Sequence, residues 1–120
     1  MNEFNFKEFY QATDKMDAKV FASYFSPQGT MTFANNDPVS GQDAIAGLAD
    51  SIYQQLEGIE HEFKAVHAIE NGYVVEGTVI YHKKTGTKIS LKFAAFTRLN
   101  EQGKIVSHDA YLDPSPFFEA

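Results

Sequence analysis

Residues 103–118, Gly-Lys-Ile-Val-Ser-His-Asp-Ala-Tyr-Leu-Asp-Pro-Ser-Pro-Phe-Phe, read as the closing strand of a sheet, entered by a turn at Asn100 to Gly103 and ended by Pro114 and Pro116. Alternation along the strand puts Asp109, Tyr111 and Asp113 on one face. Two carboxylates and a phenol beside apolar neighbours call for a chemical explanation, because ionisable groups are seldom buried without a partner. Working outward, Lys88 to Leu99 alternates as a strand, Lys84-Thr-Gly86 is a turn, and Tyr73 to His82 is a second strand. Asn71-Gly72 is a strong hairpin signal, and Ile59 to Ile69 alternates in front of it. Consecutive strands joined by short turns make an antiparallel meander.

The first half of the chain has a different period. From Glu3 to Ala12 the residues Phe6, Phe9 and Tyr10 recur at helical spacing, with Phe4 nearby. Thr13 to Asp17 interrupts that helix, and Asp17 is placed to cap a second one with the apolar face Val20, Phe21, Tyr24 and Phe25, ended by Pro27 and Gly29. Thr30 to Ala34 is a short strand. Ser40-Gly-Gln-Asp43 resembles a capping box opening a third helix, with the stripe Ile45, Leu48, Ala49, Ile52 and Leu56 and a stop at Gly58. Three helices followed by a meander predict an α+β domain with the helices on one face of the sheet.

The chain has 120 residues, the size of one domain, so residues 1–120 are read as a single unit. Its 43% hydrophobic and 14% aromatic content is ample for a packed core. A net charge of -6 lacks the basic footprint of a phosphate-backbone binder, so no nucleic-acid partner is expected. Cysteine is absent, which excludes disulfides and thiolate metal sites. No run approaches the ~20 apolar residues needed to span a bilayer, and the acidic start is unlike a signal peptide. The expectation is a cytoplasmic protein without a membrane partner.

A two-residue turn at Asn71-Gly72 would set Ile69 opposite Val74, His67 opposite Glu76, Phe63 opposite Ile80 and His61 opposite His82. A four-residue turn at Lys83 to Gly86 adds Ile89, Leu91, Phe93, Ala95, Thr97 and Leu99 to that face. Pairing Leu99 with Ile105 then brings in Ser107, Asp109, Tyr111 and Asp113. The predicted inner face is therefore apolar and holds His67, Glu76, Asp109, Tyr111 and Asp113. The other face carries Glu60, Glu62, Lys64, Lys92 and Arg98 together with Val66, Tyr73, Val75, Val79, Tyr81 and Phe96. So much apolar surface there suggests a homodimer built sheet to sheet.

Several stretches together, Tyr24 to Phe33, Ser40-Gly-Gln-Asp-Ala-Ile45, Gly103-Lys-Ile105 and Tyr111-Leu-Asp113, resemble the NTF2-like superfamily and within it the SnoaL-like, polyketide cyclase-like proteins. The resemblance covers essentially the whole chain. It implies a cystatin-like cone in which a curved sheet wraps the helices around a pocket for a small apolar or amphipathic molecule, commonly in a homodimer. It also implies a range of activities, from isomerases, cyclases and dehydratases to binding domains without catalysis. The aspartate base that the ketosteroid isomerase branch carries on its first short strand has no match in Met31 to Asn35.

A carboxylate in such a cone would have its pKa raised by desolvation, suiting it to acid/base work on a carbon acid or hydroxyl. Asp109 is the expected acid/base group, with Tyr111 and His67 as catalytic partners. Tyr10 and Tyr24 are candidate donors to a developing oxyanion, and Phe33, His61, Phe63, Glu76, Phe93 and Asp113 are candidate pocket residues. The structural reading of Asp113 is a strand end accepting from the turn at Pro114 to Phe117. His67 opposite Glu76 is either an oriented base or an ion pair on a sheet. No cofactor is implied, and His61 and His67 are too far apart along a strand to share a metal ion. The two open readings are a cofactor-independent isomerase, cyclase or dehydratase, and a non-catalytic binding domain.

Overall fold

Asn5 and Asp17 start the first two helices as their side chains dictate. In the computed structural model, which describes residues 4–119, Asn5 Oδ1 accepts from the amides of Lys7 and Glu8 and begins α1 (Phe6–Asp14). The expected start at Glu3 lies outside the described residues. Asp17 Oδ1 accepts from Val20 N at 3.1 Å and begins α2 (Ala18–Ser23). This helix is shorter than its pattern suggests, because Phe25 already belongs to β1 (Phe25–Phe33). Pro27 and Gly29 therefore lie within that strand, at the break in its pairing between Phe25 and Thr30 where a missing N–H is tolerated.

Ser40 and Gly41 do not form the expected capping box. Ser40 is held in β2 (Val39–Ser40) opposite Thr30, and Gly41, at φ 88°, caps α3 (Gln42–Tyr53) without a side-chain bond. Leu56 leaves the helical stripe for β3 (Leu56–Ile69), where Gly58 pairs with His82 instead of ending a helix. The strands β4 (Gly72–Lys83), β5 (Lys88–Leu99) and β6 (Ile105–Leu112) follow, and a short α4 (Ser115–Glu119) closes the described chain. All six strands form one sheet in the order β2-β1-β6-β5-β4-β3, with β1 parallel to β6 and the other neighbours antiparallel. The helices pack on its inner face around Phe9, Phe25, Ile45, Val75 and Ile105, all essentially inaccessible to solvent.

The register corrects the predicted inner face at three points. The hairpin turn is Glu70-Asn71, because Ile69 pairs with Gly72. That change moves the pairing by two and leaves the faces alone, but a bulge between Phe63 and Ala65 then sets Phe63 opposite Gly77 and His61 opposite Val79. The β4–β5 turn is one residue longer than expected, since His82 pairs with Lys88 and Lys83 N donates to Thr87 O. The inner residues of β4 are consequently Val75, Gly77, Val79 and Tyr81, while Glu76, Ile80 and His82 point outward. The pairing of Leu99 with Ile105 is as predicted, but the next pair is Arg98 with Ser107. The extra residue, Val106, turns over the rest of β6: Thr97 meets His108, Phe96 meets Asp109 and Ala94 meets Tyr111.

Candidate functional site

Between the helices and the inner face of the sheet lies a cavity of about 70 Å³. Its walls are mostly aromatic and aliphatic: Phe9 and Tyr10 from α1, Phe21 from α2, Met31 and Phe33 from β1, and Phe93 and Ala95 from β5. A smaller cavity of about 30 Å³ shares Phe33, Ile52 and Tyr81 with it and ends at Pro114 and Phe117. Phe117 packs edge-on against Tyr81, with centroids 5.3 Å apart, and Lys83 Nζ donates to the Phe117 carbonyl at 2.9 Å.

Two histidines face the main cavity in different electrical settings. His61, on β3, has its Nδ1 2.5 Å from Asp14 Oδ1 at the end of α1. The His61 side chain is 9% exposed and that of Asp14 is 34% exposed, so the carboxylate keeps contact with water while the imidazole is drawn into the wall. Tyr10 and Phe93 pack against the His61 ring at 4.9 and 5.5 Å between centroids. An imidazole donating from Nδ1 to a carboxylate carries its lone pair on Nε2. His108, on β6, is buried beneath Phe9, Phe21 and Phe25, and its Nδ1 lies 2.9 Å from Thr97 Oγ1. Burial, helped by the nearby His61, pushes the His108 pKa down to about 4, so its imidazole is neutral at pH 7.

The tyrosines of the wall are donors that keep their protons. Tyr53 shares a 2.8 Å hydrogen bond with Thr13 Oγ1, and burial pushes its pKa up to about 12. Burial raises Tyr10 and Tyr81 further still. The Tyr10 hydroxyl is buried without a hydrogen-bond partner among the described residues. An orphaned buried hydroxyl costs about 1–3 kcal/mol, and such groups commonly await a ligand or a water.

Of the predicted site residues, Tyr10, Phe33, His61 and Phe93 line the cavity. Phe63 packs edge-on against Tyr10 near this wall but is 40% exposed, and Tyr24 packs on Phe9 and Phe4 outside the lining. The expected catalytic group is on the opposite face. Asp109 reaches Arg98 at 3.6 Å, Tyr111 is 56% exposed beside Phe96, and His67 is exposed opposite Val74 rather than Glu76. Glu76 is ion-paired with Lys64 on the outer surface. Asp113 lies beyond β6, accepts from Ser115 N at 3.0 Å, and is held below the usual carboxylate range chiefly by that bond. Sequence reasoning misses Asp14, Thr13, Tyr53 and His108 and puts Tyr81 on the outer face, whereas Thr97 lies on the inner face as expected, bonded to His108. His108 stands next to Asp109, and only the Val106 bulge exchanges the two. Among the described residues no group of three or more His, Cys, Asp or Glu side chains is placed to hold a metal ion, and no helix is long and apolar enough to cross a membrane.

The sequence profile of the SnoaL-like domain matches residues 6–108. No curated protein matches the chain. Solved structures of the same fold are numerous. An NTF2-like protein of unknown function from Burkholderia pseudomallei superposes with a TM-score of 0.82 at 17% identity, over 94% of this chain and 91% of the other. A protein with a ketosteroid isomerase-like fold from Catenulispora acidiphila, solved in complex with trimethylamine, gives 0.79 at 17% identity over 88% and 82%. TerC, co-crystallised with polyporic acid, gives 0.79 at 18% identity over 92% and 90%.

Proposed function

Because this chain belongs to the SnoaL-like domain family and has the NTF2-like fold, we propose that its cone binds a small, largely apolar molecule and that His61, oriented by Asp14, exchanges a proton with it. The hydrogen bond between His61 Nδ1 and Asp14 in the wall of an apolar cavity carries this reading. The carboxylate holds the imidazole in one tautomer and stabilises the imidazolium formed when Nε2 takes a proton, which is the arrangement of a base with its orienting group. Tyr10, whose hydroxyl lacks a partner, supplies a donor for an oxygen that gains negative charge in the same step. The reaction class is cofactor-independent proton transfer, as in an isomerisation, cyclisation or dehydration. The small organic molecules held by two structural neighbours agree with a ligand-binding cone and leave the identity of this one open.

The test is hydrogen exchange at the carbon next to the carbonyl of cyclohexanone in deuterium oxide, followed by NMR. The wild-type protein should accelerate exchange, and His61→Ala should return it to the buffer rate. Equal rates for the two proteins would remove His61 from the mechanism and leave the cone as a binding site.

The same proposal includes a homodimer through the outer face of the sheet. Val75, Val79 and Tyr81, which helped suggest this interface in the sequence, belong to the core. Its support is now Val74, Phe96 and the exposed Tyr111. Sedimentation should show a dimer that Phe96→Glu dissociates; a monomeric wild type would refute this.

A further inference from the structure

Among the described residues the cavity wall offers no counter-ion to an anionic ligand. Its polar side chains are those of Tyr10, Thr13, Tyr53, His61, Tyr81 and His108, with no lysine or arginine among them. Most of these groups are occupied with one another or with a residue behind them: Thr13 with Tyr53, His108 with Thr97, and His61 with Asp14. Tyr81 stands at the boundary with the smaller cavity. The Tyr10 hydroxyl is buried without a hydrogen-bond partner among the described residues, and its ring packs against that of His61 with centroids 4.9 Å apart. The two are neighbours in a mostly apolar wall.

From this placement we propose that the cavity selects neutral molecules with an apolar body and one hydroxyl or carbonyl oxygen, seated against Tyr10 and His61, and rejects carboxylates of the same size. The inference rests on the reading that the cone holds a ligand and adds its chemical class. A hydroxyl oxygen satisfies both groups, accepting from the Tyr10 O–H and donating to His61 Nε2. A carbonyl satisfies the tyrosine alone. A carboxylate entering the same space loses its hydration and finds no fixed cation. Any positive charge on His61 is already matched by Asp14, and His108 in its aromatic cage stays neutral at pH 7. The tyrosine hydroxyls remain protonated and donate.

The experiment compares toluene, phenol and benzoate at neutral pH, binding to the full chain and to Tyr10→Phe, by ligand-observed NMR and thermal shift. Phenol should bind about fivefold more tightly than toluene, as one net hydrogen bond allows, and benzoate should produce no shift. Tyr10→Phe should bring phenol down to the affinity of toluene, closing the gap between the two ligands. Benzoate binding as tightly as phenol, or phenol gaining nothing over toluene, would overturn the selectivity while the cone stands as a ligand site. Failure of both toluene and phenol to bind would overturn the ligand-binding reading together with this one.

Discussion

Acidification puts the burial of His108 to a quantitative test. Unfolded, this imidazole takes up a proton near pH 6.5; folded, it resists until about pH 4, because burial among Phe9, Phe21 and Phe25 removes the water that would solvate the cation and His61 adds repulsion. Between those values the unfolded chain binds more protons than the folded one, so stability must fall as the pH falls. The effect is absent above 6.5, grows through the window, and levels off below about 4. At about 1.4 kcal/mol for each pH step it amounts to about 3 kcal/mol, a large part of the stability of a domain this size. Urea denaturation of the wild type and of His108→Gln, which keeps a hydrogen-bonding group for Thr97, separates this from carboxylate titration common to both proteins. The two stability curves should run parallel above pH 6.5, with the wild type losing about 3 kcal/mol more by pH 4. Equal pH dependence, or an NMR titration in which all four histidines protonate near 6.5, would refute the placement of His108 in a dry interior.

Four further substitutions probe other parts of the fold. Gly77→Ala should destabilise by about 2 kcal/mol or more in denaturant melts, since a Cβ there would lie 2.1 Å from the Glu62 carbonyl oxygen; Gly47→Ala, on an open part of α3, should instead gain about 0.5–1 kcal/mol. Asp17→Ala should cost about 1 kcal/mol, the value of the cap on α2. Asp109→Asn should change stability by less than about 1 kcal/mol and leave phenol binding as it is, because Asp109 makes only a 3.6 Å surface pair with Arg98; loss of binding in that variant would put Asp109 back in the site.

Local chemistry was legible wherever one side chain acts on nearby backbone. Asp17 caps α2 as its position indicates, and Asp113 accepts from the turn that follows it. The inward set of β5, Ile89, Leu91, Phe93, Ala95 and Thr97, is also read correctly, since its alternation with Lys88, Ser90 and Lys92 admits one burial pattern. No comparable pattern exists in β6. There one alternating set is Val106, His108, Ala110 and Leu112 and the other is Ile105, Ser107, Asp109, Tyr111 and Asp113, and each mixes polar with apolar groups.

By itself, then, the sequence determined three N-terminal helices, the meander and the α+β class, because periodicity, caps and turn residues act over a few positions, and its motifs carried the resemblance to the family. Only the tertiary structure decided which polar residues meet the cavity. A strand has a side-chain period of two, so single residues at the Lys64 and Val106 bulges and in the Lys83 to Thr87 turn exchange inside for outside. Which exchange wins is settled by packing between distant segments. His108 lies under the Phe9 ring and bonds to Thr97. Asp14 meets His61 across 47 positions of chain, a contact that no local pattern encodes.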